Sequence, residues 1–363
     1  SITSTHEESG KVSGEIYAIS TLGGICFTFL TAFYLIPQWG ISITLITDAL
    51  LLATFSIIYF VKRKTFFPIL FFLMSIGFAL KVATIPSSSV YMQEGLLGKL
   101  EVEDKFYKTD SGNVMCRFLL VNNVVQSCVD VKTKQSMLQY ADILEKNVSI
   151  IYPEAKTALV LGLGGGVISN MLVKKNIQVT AVELDSRVID VAKQYFNVSD
   201  KVKIIEDDAR HALYALSNQY DVIVMDLFNG EVASSHVLSL EFFAKLKSML
   251  TSKGFIFINT YGYLSGKAGQ GNLILLNTLK QAGFNYRICY SGRLEEEDYR
   301  TLLLFATTYK NEQTLCASLP EKYLSYTTTF ISSDDKPIIE FANAEAAKRW
   351  RNTYLKNSIF NEK

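Results

Sequence analysis

The run Gly162-Leu163-Gly164-Gly165-Gly166 constrains this chain more than any other stretch, because it joins two different hydrophobic periods. Before it, TALVL is a short unbroken apolar run, which predicts a strand buried on both faces. After it, VISNMLVKK carries its apolar residues at helical spacing. A second strand, QVTAVELD, follows and ends on Glu183, about 20 residues beyond the first glycine. Strand, glycine turn, helix and acid-tipped strand together form a nucleoside-binding pattern. Gly162, Gly164 and Gly166 let the backbone approach a ligand, the helix N-terminus favours negative charge, and Glu183 can accept two hydrogen bonds from a ribose diol.

The alternation then repeats through RVIDVAKQYF, KVKIIEDDA, RHALYALSN, YDVIVMDLF, SLEFFAKLKSML, GFIFINTYGY and NLILLNTLKQAG. Apolar strands alternating with amphipathic helices imply a parallel sheet covered on both faces. NYRICYS and TLLLFATT read as two further strands that close it. Upstream, Tyr91 to Val131 alternates in short runs with Asp110-Ser-Gly and Asn122-Asn123 as turns, the pattern of a small antiparallel sheet. After Lys310 comes a polar tail that ends in an Ala-rich helix, Asn343 to Tyr354.

Ligands of open parallel sheets sit outside the carboxyl ends of the strands, and three successive ends here carry acids: Glu183, Asp208 (followed by Ala209) and Asp226. NAD and S-adenosylmethionine both satisfy the glycine motif. The acids favour the cationic sulfonium, since they would repel a pyrophosphate. Helix N-capping accounts for Asp208 or Asp226 singly and is a poorer explanation of all three. An NAD-dependent oxidoreductase remains the rival on this ground. His236, on the loop after the fourth strand, is a lesser acid-base candidate, as is His211, and Glu295-Glu296-Glu297-Asp298 reads as a solvated turn.

The chain is 49% hydrophobic and 20% charged, and its apolar residues are concentrated at one end. Only five of the 36 basic and four of the 35 acidic residues precede Pro86. Ile16 to Ile36 carries no charge and Ile41 to Val61 carries one; a helix crossing the hydrocarbon needs about 20 such residues. Pro37-Gln38-Trp39-Gly40 joins the two runs, with the Trp at an interfacial position, so they read as a membrane hairpin. Phe66 to Leu80 is a shorter third candidate. A signal peptide fits poorly, for want of a basic start and a small-residue cleavage site, and a first residue other than Met leaves room for further spans upstream.

Lys62-Arg63-Lys64 would be cytoplasmic by the positive-inside rule, which places the rest outside if the third segment crosses. A cytosolic nucleoside ligand demands the opposite and outweighs three charges, so the nucleoside domain is expected in the cytoplasm. Asp48 within the second span is a functional candidate by default, or bonds to Thr44 or Thr47; Gly23-Gly24 reads as a close-packing site. The net charge of +1 argues against a nucleic-acid partner. Five cysteines at wide, irregular spacing match neither a disulfide framework nor a zinc site, so they read as structural thiols and no metal is expected.

Residues 90–310 resemble spermidine synthases and related aminopropyltransferases. The resemblance rests on VVQS (Gln126), a Tyr followed two residues on by an acid (Tyr140, Asp142), GLGGG, AVELD, EDDAR and YDVIVMD. ALVLGLGGG, HVLSLEFF and IYAISTLGGICFTFLTAFYLIPQWG resemble the membrane-fused branch of that family. The fold implied is a Rossmann-like class I S-adenosylmethionine-binding α/β domain with a small N-terminal β-sheet segment, preceded by transmembrane helices. The boundaries are 1–86 for the membrane helices, 87–150 for the small β subdomain, 151–310 for the nucleoside-binding domain and 311–363 for the helical tail.

By the same resemblance, Gln126, Glu183, Asp208 and Asp226 contact S-adenosylmethionine or its decarboxylated form, and Tyr140 and Asp226 position or deprotonate an amine acceptor. Authentic spermidine synthases carry an Asp-Glu pair between the Gln and the Tyr, and a second Asp with a following Pro after the fourth strand. Here that stretch has only Asp130, and Asp226 is followed by Leu-Phe-Asn229-Gly. The nucleoside site therefore reads as kept and the diamine site as altered. The expectation is a membrane-anchored aminopropyltransferase-like homo-oligomer in a lipid bilayer. Its alternative is a non-catalytic S-adenosylmethionine sensor that regulates a channel or transporter formed by the helices.

Overall fold

The computed structural model describes residues 6–62, 72–74, 76–77, 89–109, 112–227, 235–290, 300–310 and 327–360. It separates into two compact units, Ser1–Glu101 and Val102–Lys363, and the division falls inside a strand, whereas the composition changes near Pro86.

The first unit holds α1 (His6–Leu30), a π-helical turn (Thr31–Leu35) and α2 (Ile36–Lys62). Gly40, in the joint expected between the two apolar runs, interrupts α2 with φ 79° and ψ 173°, a backbone that glycine adopts at little cost. A Cβ there would lie 2.3 Å from the Cβ of Glu94. Glu94 lies on β1 (Ser89–Gly95) and accepts hydrogen bonds from the amide and the hydroxyl of Ser42, each at 2.7 Å. Gly10–Tyr59 is long and apolar enough to cross a membrane, with a mean hydropathy of 2.0 over its best window. Its large side chains are exposed, among them Ile16, Leu22, Phe33 and Phe55.

Two expectations for these helices fail locally. The Thr44 and Thr47 hydroxyls donate to the carbonyls of Gly40 and Ile43, one helical turn back, so neither turns to Asp48. Asp48 Oδ1 is buried and meets no donor among the described residues. No described atom lies within 4 Å of a Cβ built on Gly23 or Gly24, so they serve no close packing within the described chain. Arg63, Lys64, ten of the fifteen residues from Phe66 to Leu80, Asp110-Ser111, Asn229 and the 295–298 run lie outside the described residues.

Four strands, β1, β2 (Gly98–Thr109), β3 (Gly112–Val121) and β4 (Val124–Asp130), form the small sheet in that order. β3 and β4 pair antiparallel around Asn122 (φ 51°) and Asn123 (φ 65°), the two positive φ values that a tight hairpin turn requires. Arg117 links β2 and β3 to the end of the helix Ser186–Tyr195. It donates to both carboxylate oxygens of Asp104 at 2.8 and 2.6 Å and to the Tyr195 carbonyl at 3.1 Å.

The large sheet has seven strands in the order β10-β11-β9-β8-β5-β6-β7. β5 (Thr157–Leu161), β6 (Gln178–Glu183), β7 (Lys203–Glu206), β8 (Tyr220–Met225) and β9 (Leu250–Gly262) run parallel. β10 (Asn285–Tyr290) and β11 (Arg300–Thr307) close one edge antiparallel, as the last two apolar runs imply. Alternate residues feed two cores. Leu159, Leu161, Ile223, Met225, Ile256 and Ile258 face one side. Ala158, Val160, Val222, Val224, Phe255 and Phe257 face the other. Burial on both faces is why these strands read as unbroken apolar runs.

The connections are helical: α3 (Gln139–Ile151) precedes β5, α4 (Val167–Lys174) and α5 (Ser186–Tyr195) flank β6, α6 (Ala209–Ala215) follows β7, α7 (Leu240–Ser248) follows β8, and α8 (Gln270–Gln281) follows β9. The C-terminal segment is stitched down more firmly than a polar tail suggests. The Leu240 amide donates to the Ser332 carbonyl, the Ser332 amide to Thr278 Oγ1, and Asn277 to the Phe330 carbonyl. α9 (Ile339–Phe360) starts where the Ser235 amide donates to Glu340 at 2.7 Å.

The cysteines divide. Cys26, Cys116 and Cys128 are free, and burial together with the neighbouring Cys116 pushes the Cys128 thiol up to about 12, which suits a structural role. Cys289 corrects the thiol reading: it is buried in β10 and disulfide-bonded, with its partner outside the described residues. Sequence spacing could not anticipate a pairing made by the closing edge of a sheet.

Candidate functional site

The parallel strands deliver their carboxyl ends to one edge in the order Asn259 (in β9), Asp226 (after β8), the glycine run (after β5), Glu183 (β6) and Asp208 (after β7). The glycine run is held from three sides. The Asp226 amide donates to the Leu161 carbonyl at 2.9 Å, and a Cβ on Gly162 (φ 89°) would lie 2.1 Å from the Asp226 carbonyl oxygen. Gly166 (φ 70°) forms the N-terminus of α4 without a side-chain cap, under Val198, whose Cγ2 would lie 2.6 Å from a Cβ there. The Gly165 amide donates to Ser127 Oγ at 2.9 Å. Only glycine fits the first two positions.

Glu183 is bound into this loop. Its Oε2 accepts the Leu163 amide at 2.9 Å and its Oε1 the Asp185 amide at 3.0 Å. Burial raises its carboxyl above the usual range, and these amides pull the other way. The Gly164 amide is a third donor, so the carboxylate is oriented by the loop and keeps one of its four lone pairs for a ribose hydroxyl.

Asp208 caps α6 through its Oδ1, which accepts the Arg210 and His211 amides at 2.9 and 3.0 Å. Its Oδ2 lies 3.2 Å from His236 Nε2. Partial burial opposes its charge, but the His211 amide, His236 and the Arg210 amide outweigh that and hold it below the usual carboxylate range. Ala209 opens α6 and is buried. His236 thus stands beside Asp208, three strands along the sheet from β8, and His211 pairs with Asp207 at 2.7 Å.

The other end of the edge is a compact trio. Tyr140, in the first turn of α3, donates to Asp226 Oδ2 at 3.2 Å, and Asn259 Nδ2 donates to Asp226 Oδ1 at 2.9 Å. Burial lifts the Asp226 carboxyl above its ordinary range despite both donors. Burial and the Asp226 charge push the Tyr140 hydroxyl well up, so it stays a donor. Asp226 is therefore a basic carboxylate held in a fixed pose, a group able to take a proton or seat a cation.

Gln126 does not join this trio: its amide donates to the Val124 carbonyl at 3.3 Å, while its neighbour Ser127 touches the glycine run. Asp142 is exposed on α3. Asp130 is committed to a turn, where its Oδ1 accepts the Lys132 and Thr133 amides. Ser127 and Asn259 escape sequence reasoning, although VVQS and FINTY each place a polar residue in an apolar strand. Among the described residues no group of His, Cys, Asp and Glu is placed to hold a metal ion.

Residues 137–268 match the spermine/spermidine synthase domain. A polyamine aminopropyltransferase of Vibrio vulnificus is 27% identical over 170 residues, which is 45% of this chain and 54% of its own length. An N-terminal histidine N-methyltransferase of Emericella nidulans is 29% identical over 198 residues, 52% of this chain and 35% of its own length. The matches thus span about half or less of these curated relatives. A probable spermidine synthase of Corynebacterium glutamicum superposes with a TM-score of 0.52 at 19% identity, over 63% of this chain and 82% of that one, and shows a common fold. Residues 137–268 thus carry a spermidine synthase-like domain, set in a Rossmann-like sheet of shared fold.

Proposed function

We propose that the α/β unit binds S-adenosylmethionine or its decarboxylated form and transfers an aminopropyl group to an amine, in a protein anchored in a bilayer by α1 and α2. One observation carries the transfer reading: Tyr140 and Asn259 clamp a basic, half-buried Asp226 beside the glycine run. Glu183 takes a ribose hydroxyl, Asp208 and the Ala209 amide take the adenine edge, and the sulfonium lies toward Asp226. The acceptor nitrogen attacks the methylene next to sulfur, the C–S bond breaks, 5′-methylthioadenosine leaves, and Asp226 accepts the proton lost by the amine. Rate comes mainly from holding the two reactants in line. Gln126 would reach the ligand by turning from Val124. The exposed apolar surface of Gly10–Tyr59 supports the bilayer and a second copy as its partners, and the ligand chemistry favours the cytoplasmic side.

Detergent-purified protein given decarboxylated S-adenosylmethionine and a panel of amines is expected to release 5′-methylthioadenosine with one aminopropylated product. Nucleoside binding without release, whichever amine is added, defeats the transfer reading and leaves ligand sensing. The single acid of the acceptor region, with Asp130 tied into a turn, is what favours that second reading.

A further inference from the structure

Asn259 orders more than its partner carboxylate. An ionised Asp226 only accepts, so the Asn259 –NH2 must face it and Oδ1 must point away. That oxygen is buried and meets no donor among the described residues. A buried carbonyl oxygen asks for a donor, and the group that completes this arrangement must satisfy an anion and a neutral acceptor together. The Tyr140 hydroxyl is already committed to Asp226. A hydroxyl carries a single O–H, whereas a neutral primary amine carries two N–H and one lone pair.

We propose that Asn259 Oδ1 accepts one N–H of a primary acceptor amine whose other N–H is accepted by Asp226. The two acceptors then leave the nitrogen lone pair as the only free direction, which aims it at the carbon to be attacked. Asn259 thereby selects primary over secondary amines. This rests on the transferase reading above and adds to it the class of acceptor and the residue that chooses it.

The test uses the full chain with decarboxylated S-adenosylmethionine and, as acceptors, 1,4-diaminobutane and its N,N′-dimethyl analogue, read as kcat/KM, because only the attacking nitrogen is neutral and the free amines are ammonium ions near neutral pH. The wild type is expected to use the primary amine about tenfold better, the cost of leaving a buried acceptor unpaired. Asn259→Leu is expected to lose about tenfold for the primary amine, to lose the preference, and to keep its calorimetric affinity for 5′-methylthioadenosine. The loss should persist from about pH 6 to 9; if Asn259 acted only by donating to Asp226, the rate would recover as that carboxyl ionises. Equal use of the two amines by the wild type, recovery at high pH, or weakened nucleoside binding in Asn259→Leu overturns the assignment. A wild type that releases no 5′-methylthioadenosine with any amine removes the transferase reading itself, a distinguishable result.

Discussion

The two ends of β8 carry the same residue under opposite conditions. Asp221, at the end remote from the site, is 7% exposed and accepts four hydrogen bonds: the amides of Lys156 and Thr157 and the hydroxyls of Thr157 and Thr251. Burial opposes its charge, but these donors win and hold the carboxyl below its usual range. Asp226, at the other end, has two side-chain donors among the described residues, Tyr140 and Asn259, and burial wins, so its carboxyl lies above the usual range. An acid saturated by donors ties β5, β8 and β9 together. An acid left underserved at a sheet edge is reactive, and that is the physical mark of the site.

The largest effect expected is at the reactive end. Asp226→Asn should lower 5′-methylthioadenosine release by about 10³-fold, the scale of a lost general base, without loss of thermal stability. The linkage has a definite sign. A carboxyl whose folded pKa is raised costs stability as pH climbs from the unfolded value through the folded one, so its removal leaves the neutral-pH fold at least as stable. A lower melting midpoint in this variant would make Asp226 structural and erase the contrast.

Asp221→Asn should do the reverse. Removal of the charge from a carboxylate that serves four donors should cost about 2–3 kcal/mol of stability, while release per folded molecule is unchanged. With a depressed folded pKa, Asp221 contributes stability above its unfolded pKa that is lost as pH falls through the folded one. Acid unfolding of the wild type should therefore be steeper than that of the variant. Equal acid limbs in denaturation curves would count against the assignment.

Tyr140→Phe sharpens the comparison within the site. It deletes one of the two donors, so the acidic limb of the pH–rate profile should move further up and the neutral-pH rate should fall about tenfold. An unmoved limb would mean that Tyr140 does not set the basicity of Asp226. The smallest effect is expected for Glu183→Gln, whose new –NH2 would confront the Leu163 or Asp185 amide. Nucleoside affinity should weaken about fivefold, measured by calorimetry, with the sheet intact.

Much of this edge is legible from residues alone, because backbone demands are local. Gly162 and Gly166 stand where only glycine fits, and Glu183, Asp208 and Asp226 stand at successive strand ends, where parallel topology gathers them. The partners are not legible, because they are set across the fold. Asn259 meets Asp226 only since β9 lies beside β8, and Ser127 meets Gly165 from the small sheet, which Arg117 links to α5. His236 looks like a neighbour of Asp226 in sequence, but it lies beside Asp208. The pairing of Cys289 and the seating of the C-terminal segment on Thr278 are likewise products of tertiary packing.

The contrast between the ends of β8 can be measured without any substrate. Infrared difference spectra of the wild type against Asp226→Asn and against Asp221→Asn, recorded through a pH titration, isolate the protonated-carboxyl stretch of each residue. The Asp226 signal is predicted to persist to a pH above the ordinary carboxylate range and the Asp221 signal to appear only below it; both titrating on the same side would contradict the account.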